Sequence, residues 1–576
     1  MTDTPSENSP APTRPRTEAR GTVALIALVV LGIGAALAQG VYQYIGYANT
    51  DLPHASLRPD RWPAQTGPAT PTGRPERVVL IVLDGEGTLN GVPVDALGSA
   101  VVATARVPTP SLSRPGYATI ASGAGPARTG IRTNRYTSPL GVDTVFARAK
   151  AAGLHVVGGA DLDWMEQNFE GSFARWYFEY HWDQPDRVDA AMAGALAEDA
   201  DLVVLHFVEI DRAGHRAGGG SDDYRLAETQ LRARLAKLLA TVDLAKDTVL
   251  ITSDHGHLAG VGGHGGGEPD VTTVPLVMAG RGVRPSGDLS ATLSNVAPTI
   301  SVLLGLQWPH DMEAEPLWSV MDPDVLGQDY LDARKRGWNT HRVAYERAWL
   351  AKAYADWTSE NWRGAIVGND VSNAATVPDD APLPALLDAR DRTLLEIERD
   401  RRVGRTPLVA LVFVPLIVLY LTGMLRGYRF APILALPLFG VGALGAFAAF
   451  GMAPSLSAIA TYEGFALRLA AAGVLGIALW TAAALFLLRS VPRVTRWRAL
   501  RFHATTAALC YAGIAPATWG LLGFSVKAPL PSDFLLFFPI VAGALGGGFT
   551  FAAGALWIAA VVRPTARPFD FDAGQP

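Results

Sequence analysis

The chain has almost no residues that could cross-link it, and few that could bind nucleic acid. It contains one cysteine, Cys510, in 576 residues, so an intramolecular disulfide is excluded. A domain exported to an oxidising compartment must then be held together by its hydrophobic core and by bound ions. Charged residues make up 18% of the sequence and the formal net charge is −5. No stripe of basic and aromatic residues occurs between the apolar ends, so no nucleic-acid partner is expected.

Polar residues are also missing from long stretches at both ends of the chain. Residues 22–38 form one apolar run, and five more lie near 406–425, 430–452, 465–488, 502–525 and 533–562. Each of these five reaches the roughly 20 residues that an α-helix needs to cross a bilayer. A soluble helix bundle needs polar faces, which these runs lack. The sequence therefore predicts an N-terminal membrane anchor and a C-terminal membrane domain of five helices.

Arginine is concentrated in alternate loops of the predicted membrane domain. Arg426 and Arg429 follow the first helix, a cluster over 489–501 follows the third, and Arg563 follows the fifth. Since positively charged loops stay in the cytoplasm, the catalytic side, including residues 47–404, is predicted to lie outside it. Ala36-Leu-Ala38 also resembles a signal-peptidase site, although the length of the run favours an uncleaved anchor.

These boundaries define the predicted domains. They are a cytoplasmic tail (1–21), an anchor (22–46), a Pro-rich linker (47–76), a catalytic core (77–310), an aromatic-rich helical extension (311–404), a membrane domain (405–562) and a second cytoplasmic tail (563–576). The tryptophans of the extension fit either a lobe or lid at the membrane interface or an ordinary packed core. The sequence leaves both interpretations open.

Three apolar runs in the core lead to an aspartate. Residues 77–83 precede Asp84, residues 202–208 precede Asp211, and residues 247–251 precede Asp254. Such runs are typical of parallel strands buried on both faces. Sites in open α/β sheets lie at the carboxyl ends of the strands, so the three carboxylates should converge. The predicted fold class is α/β, with a largely parallel central sheet flanked by helices.

Three histidines, His215, His255 and His264, follow these runs and are predicted to lie on loops. Each residue taken singly has an ordinary structural explanation, but clustered carboxylates require cations to offset their repulsion. Carboxylate and imidazole ligands without thiolate suit zinc or a similar first-row ion. Six ligands are enough for two divalent metal ions with open positions for substrate.

A hydroxyl nucleophile is expected within residues 107–123, a proline-containing loop that leads into a predicted helix. Ser113 lies near the start of that helix, where the helix dipole favours alkoxide and phosphate. The same position also suits a simple N-cap. Local sequence does not rank Ser113 above Ser111 or Thr109.

The combined motifs resemble the alkaline phosphatase superfamily, in particular its nucleotide pyrophosphatase/phosphodiesterase branch and the GPI ethanolamine phosphate transferases. Ser113-Arg-Pro-Gly116 is similar to the nucleophile motif, and the spacing of Asp211 and His215 is similar to the Asp-x-x-x-His motif. Ser253-Asp-His-Gly256 and Gly263-His-Gly265 resemble two later motifs. The resemblance covers residues 75–310.

This resemblance implies an alkaline-phosphatase-like domain in which Ser113 is the nucleophile and Asn134 holds a phosphoryl oxygen. The ligands it implies are Asp211, His215 and His264 for one metal ion, and Asp84, Asp254, His255 and the Ser113 oxygen for the other. Zinc is the implied metal.

The implied function is transfer of a phosphoethanolamine-type group through a phospho-Ser113 intermediate. The donor would be a lipid such as phosphatidylethanolamine, and the acceptor a glycan or a lipid, on the periplasmic or lumenal side of a membrane. If water is the acceptor, the enzyme is an extracytoplasmic phosphodiesterase or pyrophosphatase. A third alternative is a membrane scaffold or transporter with a vestigial phosphatase-like domain. The complete ligand set and the scarcity of charged residues within the membrane runs argue against it.

Overall fold

The computed structural model describes residues 70–360 apart from gaps at 132–133, 135, 137–138, 181–182, 261–262 and 286–288. It also describes residues 65, 381–394, 396, 414, 418, 457, 475–476, 479–480, 482–492 and 495. The predicted anchor and both tails lie outside the described residues, as do most of the linker and most of the membrane domain. Among the helices that are described, none combines the length and the apolar character needed to span a bilayer.

The core is built on one sheet of eight strands. In chain order they are β1 (Val78–Leu83), β2 (Ala100–Arg106), β3 (Val156–Ala160), β4 (Arg175–Phe178), β5 (Leu202–Phe207), β6 (Thr248–Thr252), β7 (Thr273–Gly280) and β8 (Ser290–Thr292). Their spatial order is β4-β3-β5-β1-β6-β7-β2-β8. Neighbours are parallel except in the two pairs that β7 makes. The predicted α/β class with a largely parallel sheet is confirmed.

Helices cover both faces of this sheet. In chain order they are α1 (Ser113–Ser122), α2 (Pro126–Thr129), α3 (Val145–Ala151), α4 (Trp164–Asn168), α5 (Pro185–Leu196), α6 (Glu209–Ala217), α7 (Asp222–Leu239), α8 (Pro269–Thr272), α9 (Val296–Leu304), α10 (Pro323–Leu326) and α11 (Gln328–Glu360). Short 3-10 turns occupy Val94–Leu97, Leu293–Asn295 and Trp318–Val320.

Strand β1 shows why both faces are covered. All six of its side chains are buried. Alternate residues enter two different hydrophobic clusters: Val78, Leu80 and Val82 join side chains of α1, α3 and α9, while Val79, Ile81 and Leu83 join those of α5 and α7. Burial of each such side chain contributes about 1.5–3 kcal/mol. A continuous apolar run is therefore required here, where an alternating pattern would suffice for a half-exposed strand.

The three strands predicted to carry the aspartates are adjacent. Strand β1 lies between β5 and β6 and is parallel to both, with Leu83 paired with Phe207 and Val82 paired with Thr252. Their carboxyl ends consequently meet at one edge of the sheet.

The tryptophan-rich extension packs against the core where the structure describes it. Trp338 of α11 belongs to the same buried cluster as Val78 of β1. Farther along α11, Glu346 Oε1 lies 2.8 Å from Arg128 Nη2, and both side chains are fully buried. Trp349 is buried as well. For these described residues the structure favours a packed core over a membrane-surface lid.

A buried pair of acids supports the turn after β1. Glu86 and Glu228 are both buried, and Thr88 Oγ1 lies 2.8 Å from Glu86 Oε1 and 2.7 Å from Glu228 Oε1. A hydroxyl has a single hydrogen, so it can donate to only one of these oxygens. Burial, and then the charge of Glu228, raise the pKa of Glu86 to about 8. The pair therefore keeps a proton at neutral pH.

We predict that this pair makes the folded chain less stable as pH rises from 4.5, the ordinary pKa of Glu86, to about 8. Within this window Glu86 keeps its proton in the folded chain and loses it in the unfolded chain. Because the unfolded chain binds fewer protons here, the free energy of unfolding falls as pH rises. Glu228→Gln removes the like charge, lowers the pKa of Glu86 and should flatten the dependence. Thermal unfolding of the full chain in detergent measures it.

The control is Glu166→Gln, which alters an exposed acid in α4. It should keep the slope of the unfolding midpoint against pH. An equally steep slope in Glu228→Gln would show that the two acids are not coupled.

Candidate active site

Three carboxylates meet at the carboxyl edge of the sheet. Asp84 directly follows β1, Asp254 lies shortly after β6, and Asp211 lies in α6. The backbone N–H of Asp211 donates to the carbonyl oxygen of Asp84 at 3.0 Å. His215 lies in α6 as well, rather than on the predicted loop. Because residues four apart are neighbours on a helix, Asp211 and His215 share one face of α6.

The deeper candidate cluster consists of Asp84, Asp254 and His255, which are all buried. Asp84 Oδ2 accepts a hydrogen bond from Tyr117 Oη and lies 3.1 Å from His206 Nε2. Asp254 Oδ1 accepts from two backbone N–H groups at 3.2 Å and 3.0 Å. The other oxygen of each carboxylate, Asp84 Oδ1 and Asp254 Oδ2, is buried without a hydrogen-bond partner. Buried anionic oxygens of this kind are stable only beside a cation.

Three oxygens surround Nε2 of His255 at nearly equal distances. Asp84 Oδ1 lies at 3.3 Å, Asp254 Oδ2 at 3.4 Å and Ser113 Oγ at 3.2 Å. Ligands bound tetrahedrally about 2.0–2.2 Å from a zinc-like ion are separated by roughly 3.3–3.6 Å. His255 Nδ1 lies 3.1 Å from the Gly256 carbonyl oxygen, to which only a protonated Nδ1 can donate. Nε2 then offers a lone pair, so distances and donor chemistry both fit a divalent ion.

The second candidate cluster is more open and contains Asp211, His215 and His264. Asp211 Oδ1 lies 3.5 Å from His215 Nε2 and 3.7 Å from His264 Nε2, and the two Nε2 atoms are 3.2 Å apart. His264 Nδ1 lies 3.1 Å from the carbonyl oxygen of Ser111, which orients its Nε2 towards His215. The His215 side chain is 41% exposed, against 5% for His264. Solvent and substrate can therefore reach this cluster from the His215 side.

The protonation of these groups also fits bound cations. Burial, and then the charges of Asp84 and Asp211, raise the pKa of Asp254 well above its usual range. Burial lowers the pKa of His255 to about 4 and that of His264 well below its usual range. Neutral histidines are the form that binds metal, and crowded carboxylates gain from replacing a proton with a metal ion. The site thus suits divalent metal ions on its geometry and its electrostatics.

Ser113 is the first residue of α1, and its Oγ adjoins the deeper cluster. Asn134 lies beside it: Asn134 Oδ1 accepts from the Arg114 N–H at 3.0 Å, and Nδ2 lies 3.3 Å from Ser113 Oγ. Because the Arg114 N–H can only donate, it fixes the oxygen of the Asn134 side-chain amide on its own side and leaves Nδ2 facing Ser113. Ser111, the alternative nucleophile, donates its Oγ to the Gly266 carbonyl at 2.7 Å. The Ser111 hydroxyl is thereby engaged in holding the loop that carries His264.

Two supporting side chains, Tyr117 and His206, were not predicted from the sequence. Both contact Asp84 Oδ2 and leave Oδ1 free, as described above. A signal for each was present: Tyr117 lies one helical turn beyond Ser113, and His206 interrupts the otherwise apolar strand β5. Such outer partners hold a metal-binding carboxylate in the required orientation.

His257 is the third residue that sequence reasoning missed. Its Nε2 lies 2.8 Å from Asp211 Oδ1, a hydrogen-bond distance, and with Asp211 and His255 it forms a third group of side chains close enough together to hold an ion. The chain makes room for this side chain with glycine, because a Cβ at Gly214 would lie 2.4 Å from the His257 ring. At Gly219 a Cβ would lie 2.3 Å from the His257 carbonyl oxygen. His257 therefore orients Asp211.

Part of the chain is similar in sequence to a known protein family. Residues 168–308 match the family model of the Metalloenzyme superfamily. This segment includes the candidate ligands from α6 onwards, while the nucleophile helix α1 precedes it. The resemblance to the alkaline phosphatase superfamily, and the prediction of an enzyme of that kind, are confirmed at this level.

Two curated relatives share further parts of the sequence. The catalytic subunit of human GPI ethanolamine phosphate transferase 2 is 23% identical over 239 residues, which are 38% of this chain and 24% of that protein. A 2,3-bisphosphoglycerate-independent phosphoglycerate mutase of Haloarcula marismortui is 30% identical over 145 residues, or 23% of this chain and 26% of that protein. The chain thus spans about a quarter of the length of these relatives.

Among solved structures, wild-type alkaline phosphatase PafA aligns with 44% of this chain and 100% of its own at 11% identity and a TM-score of 0.36. This TM-score is below what a shared fold requires. The fold assignment therefore rests on the sheet order and strand directions themselves.

Gly116 lets the nucleophile helix contact the metal-binding loop. A Cβ at this position would lie 2.7 Å from Asp254 Cβ and 2.9 Å from the Asp254 carbonyl oxygen. Real Cβ atoms do not approach backbone this closely, so α1 would have to move. The glycine of the Ser-Arg-Pro-Gly motif is accordingly a packing requirement of the site.

We predict that Gly116→Ala lowers turnover of bis-p-nitrophenyl phosphate about a hundredfold. The added Cβ would push α1 away and displace Ser113 by up to about 1 Å, and a misplacement of that size costs about this much in rate. The matched control is Gly337→Ala in α11, where an added Cβ would meet only Trp308 Nε1 at 3.8 Å. It should retain activity. Similar activity of the two variants would contradict a tight contact between α1 and the Asp254 loop.

We predict that His257→Ala weakens the binding of one of two metal ions about 10- to 100-fold, as loss of an outer partner typically does. His257→Gln keeps a donor and should lose less. Competitive zinc titration of the full chain against a chromogenic chelator measures both affinities. His155→Ala, at the start of β3 and the opposite edge of the sheet, is the control. Unchanged affinities in His257→Ala would remove His257 from the site.

Proposed function

We propose that the protein is a membrane-bound, two-metal phosphotransferase that moves a phosphoethanolamine-type group from a lipid donor to a glycan or lipid acceptor. One observation carries this proposal: two unpartnered carboxylate oxygens and Ser113 Oγ are all 3.2–3.4 Å from His255 Nε2, beside a second cluster of three candidate ligands. A hydroxyl next to two metal sites is the arrangement that in-line displacement at phosphorus requires.

The proposed ligands divide between the two clusters. Asp84, Asp254, His255 and the Ser113 oxygen would hold the deeper ion, and Asp211, His215 and His264 would hold the more open one. Oxygen and imidazole donors at these separations suit zinc. When bound, the pair of ions supplies Lewis-acid stabilisation of the attacking and leaving oxygens.

Ser113 carries the group in the proposed reaction. Its Oγ attacks phosphorus as the proton leaves, and the bond from phosphorus to the lipid oxygen breaks. The lipid leaves as an alcohol after taking up a proton. The acceptor hydroxyl then attacks the phosphorus from the same open side as the bond from phosphorus to Ser113 Oγ breaks, and the proton that the acceptor loses restores the Ser113 hydroxyl. Asn134 Nδ2 and the N-terminus of α1 donate to the phosphoryl oxygens during both steps.

Two features support a membrane-borne donor and acceptor. The human relative is named as a GPI ethanolamine phosphate transferase, although the chain matches only a quarter of it. In the predicted membrane domain, Val414 and Val418 are 54% and 56% exposed, and Leu475 and Leu479 are 44% and 42% exposed. Large apolar side chains exposed four residues apart suit contact with lipid. With arginine-rich loops in the cytoplasm, the catalytic core lies on the other side, in the periplasm if the cell is bacterial.

We predict that Ser113→Ala abolishes metal-dependent turnover of bis-p-nitrophenyl phosphate and formation of an acid-stable phosphoprotein. The substitution removes the attacking oxygen and leaves the other ligands in place. Ser122→Ala, on the same helix but at its far end, is the matched control and should retain activity. Full turnover in Ser113→Ala would refute the nucleophile assignment.

Phosphatidylethanolamine labelled in its head group separates the possible reactions. Transfer places the label on a membrane glycan or lipid, whereas hydrolysis releases free phosphoethanolamine. Label recovered only in water-soluble phosphoethanolamine would replace the proposed transferase with a phosphodiesterase.

A further inference from the structure

The loop that carries His264 is clamped from two sides. On one side Ser111 Oγ donates to the Gly266 carbonyl at 2.7 Å and lies 3.1 Å from the Gly265 nitrogen. On the other side lies Ser457, which is more than 180 residues away in the sequence. Its Oγ accepts from the Gly266 N–H at 2.8 Å and donates to Glu268 Oε2 at 2.8 Å.

Ser457 fits this position closely. It is fully buried, and both hydrogen-bonding functions of its hydroxyl are used on the loop. A Cβ at Gly266 would lie 2.5 Å from Ser457 Oγ and 2.0 Å from Glu268 Oε2, so the contact leaves no room for a side chain. The bond to Glu268 is charge-assisted, which is the stronger kind of hydrogen bond.

Ser457 belongs to the predicted membrane domain, so its contact with the loop joins that part of the chain to the catalytic core. Ser457 lies between the apolar runs 430–452 and 465–488, in the segment that the arginine pattern places on the same side of the membrane as the catalytic core. The charge pattern and the hydrogen bonds are independent observations, and both bring residue 457 to the catalytic side.

We propose that Ser457 is a positioning residue through which the membrane part of the chain docks on the loop 264–268 and sets the place of His264. The hydroxyl holds the Gly266 N–H and the Glu268 carboxylate together, while Ser111 holds the other side of the loop. Ser457 thereby adds a second hold on the loop that carries His264. The inference rests on the proposed function only in identifying His264 as a metal ligand that serves catalysis.

A cross-linking experiment tests the contact without any activity. In a Cys510→Ser background, the full chain carries Glu268→Cys and Ser457→Cys. Because the Ser457 hydroxyl lies 2.8 Å from Glu268 Oε2, the two thiols are close enough for a short bifunctional thiol reagent to join them. Treatment of membranes with this reagent should give a cross-linked peptide pair by mass spectrometry. The control pair is Lys237→Cys with Ser457→Cys, because α7 ends towards the amino end of β6, away from the site.

A metal titration tests the positioning role. Ser457→Ala should weaken one of the two metal affinities roughly tenfold, in the range found for lost outer partners. Ser490→Ala, at an exposed serine of the predicted membrane domain, should not. If Ser457 acts through its hydrogen bond to Glu268, the two substitutions should not add. The double variant Ser457→Ala with Glu268→Gln should then bind metal as tightly as the more affected single variant.

The proposal requires both results. A 268–457 cross-link no more abundant than the control pair, or unchanged metal affinities in Ser457→Ala, overturns it. Neither result depends on Ser113 chemistry, so failure of the proposed reaction and failure of this contact are distinguishable.

Discussion

Electrostatic repulsion among three carboxylates is the constraint on which this structure depends. Asp84, Asp211 and Asp254 are brought together because they follow three adjacent parallel strands. They cannot separate without a change of sheet topology, since each is fixed within a few residues of a buried strand. Like charges in a buried site are tolerated only if protons or cations offset them. The sheet that stabilises the fold thus creates a demand for cations at one place on its edge.

How the chain meets that demand explains residues that otherwise have no obvious role. The carboxylates of Asp84 and Asp254 each have one oxygen held by protein donors and one oxygen left bare. If both oxygens were satisfied by the protein, a metal ion would have to displace hydrogen bonds. If neither were held, the side chains could rotate away from the ion. With one oxygen held by the protein and the other available to an ion, each carboxylate is both oriented and able to bind metal.

The part of the site predicted from the sequence is the part encoded locally. Apolar runs ending in aspartate identify buried parallel strands, and the fixed spacing of Asp211 and His215 requires only one helical turn. Ser113 could not be chosen over Ser111 by local sequence, because both lie just after Pro110, where the loop leads into the predicted helix. The distinction comes from the tertiary contact of Ser111 with Gly266, 155 residues away.

His257 and Ser457 were missed for related reasons. His257 lies among other histidines in a Gly-rich loop, and only the close approach of Gly214 shows that its ring is inserted beside Asp211. Ser457 is one of many small residues in an apolar part of the chain. Its role depends on the relation between segments that are distant in sequence, which periodicity and composition do not encode.

The two clusters differ in depth, and this difference bears on the choice between transfer and hydrolysis. Ser113 adjoins the buried cluster, whereas the cluster of Asp211, His215 and His264 is open at His215, whose side chain is 41% exposed. In the proposed reaction the lipid alcohol leaves and the acceptor enters at this open cluster, so its surroundings decide which hydroxyl reaches the phosphoserine. Ser457, a residue of the predicted membrane domain, contacts the loop of His264. The hydroxyl of an acceptor held at the membrane surface would then be at a higher effective concentration near the open cluster than the hydroxyl of an acceptor that diffuses freely. In the proposed transferase that proximity would favour the acceptor over water, because the deeper cluster and the nucleophile are common to both outcomes.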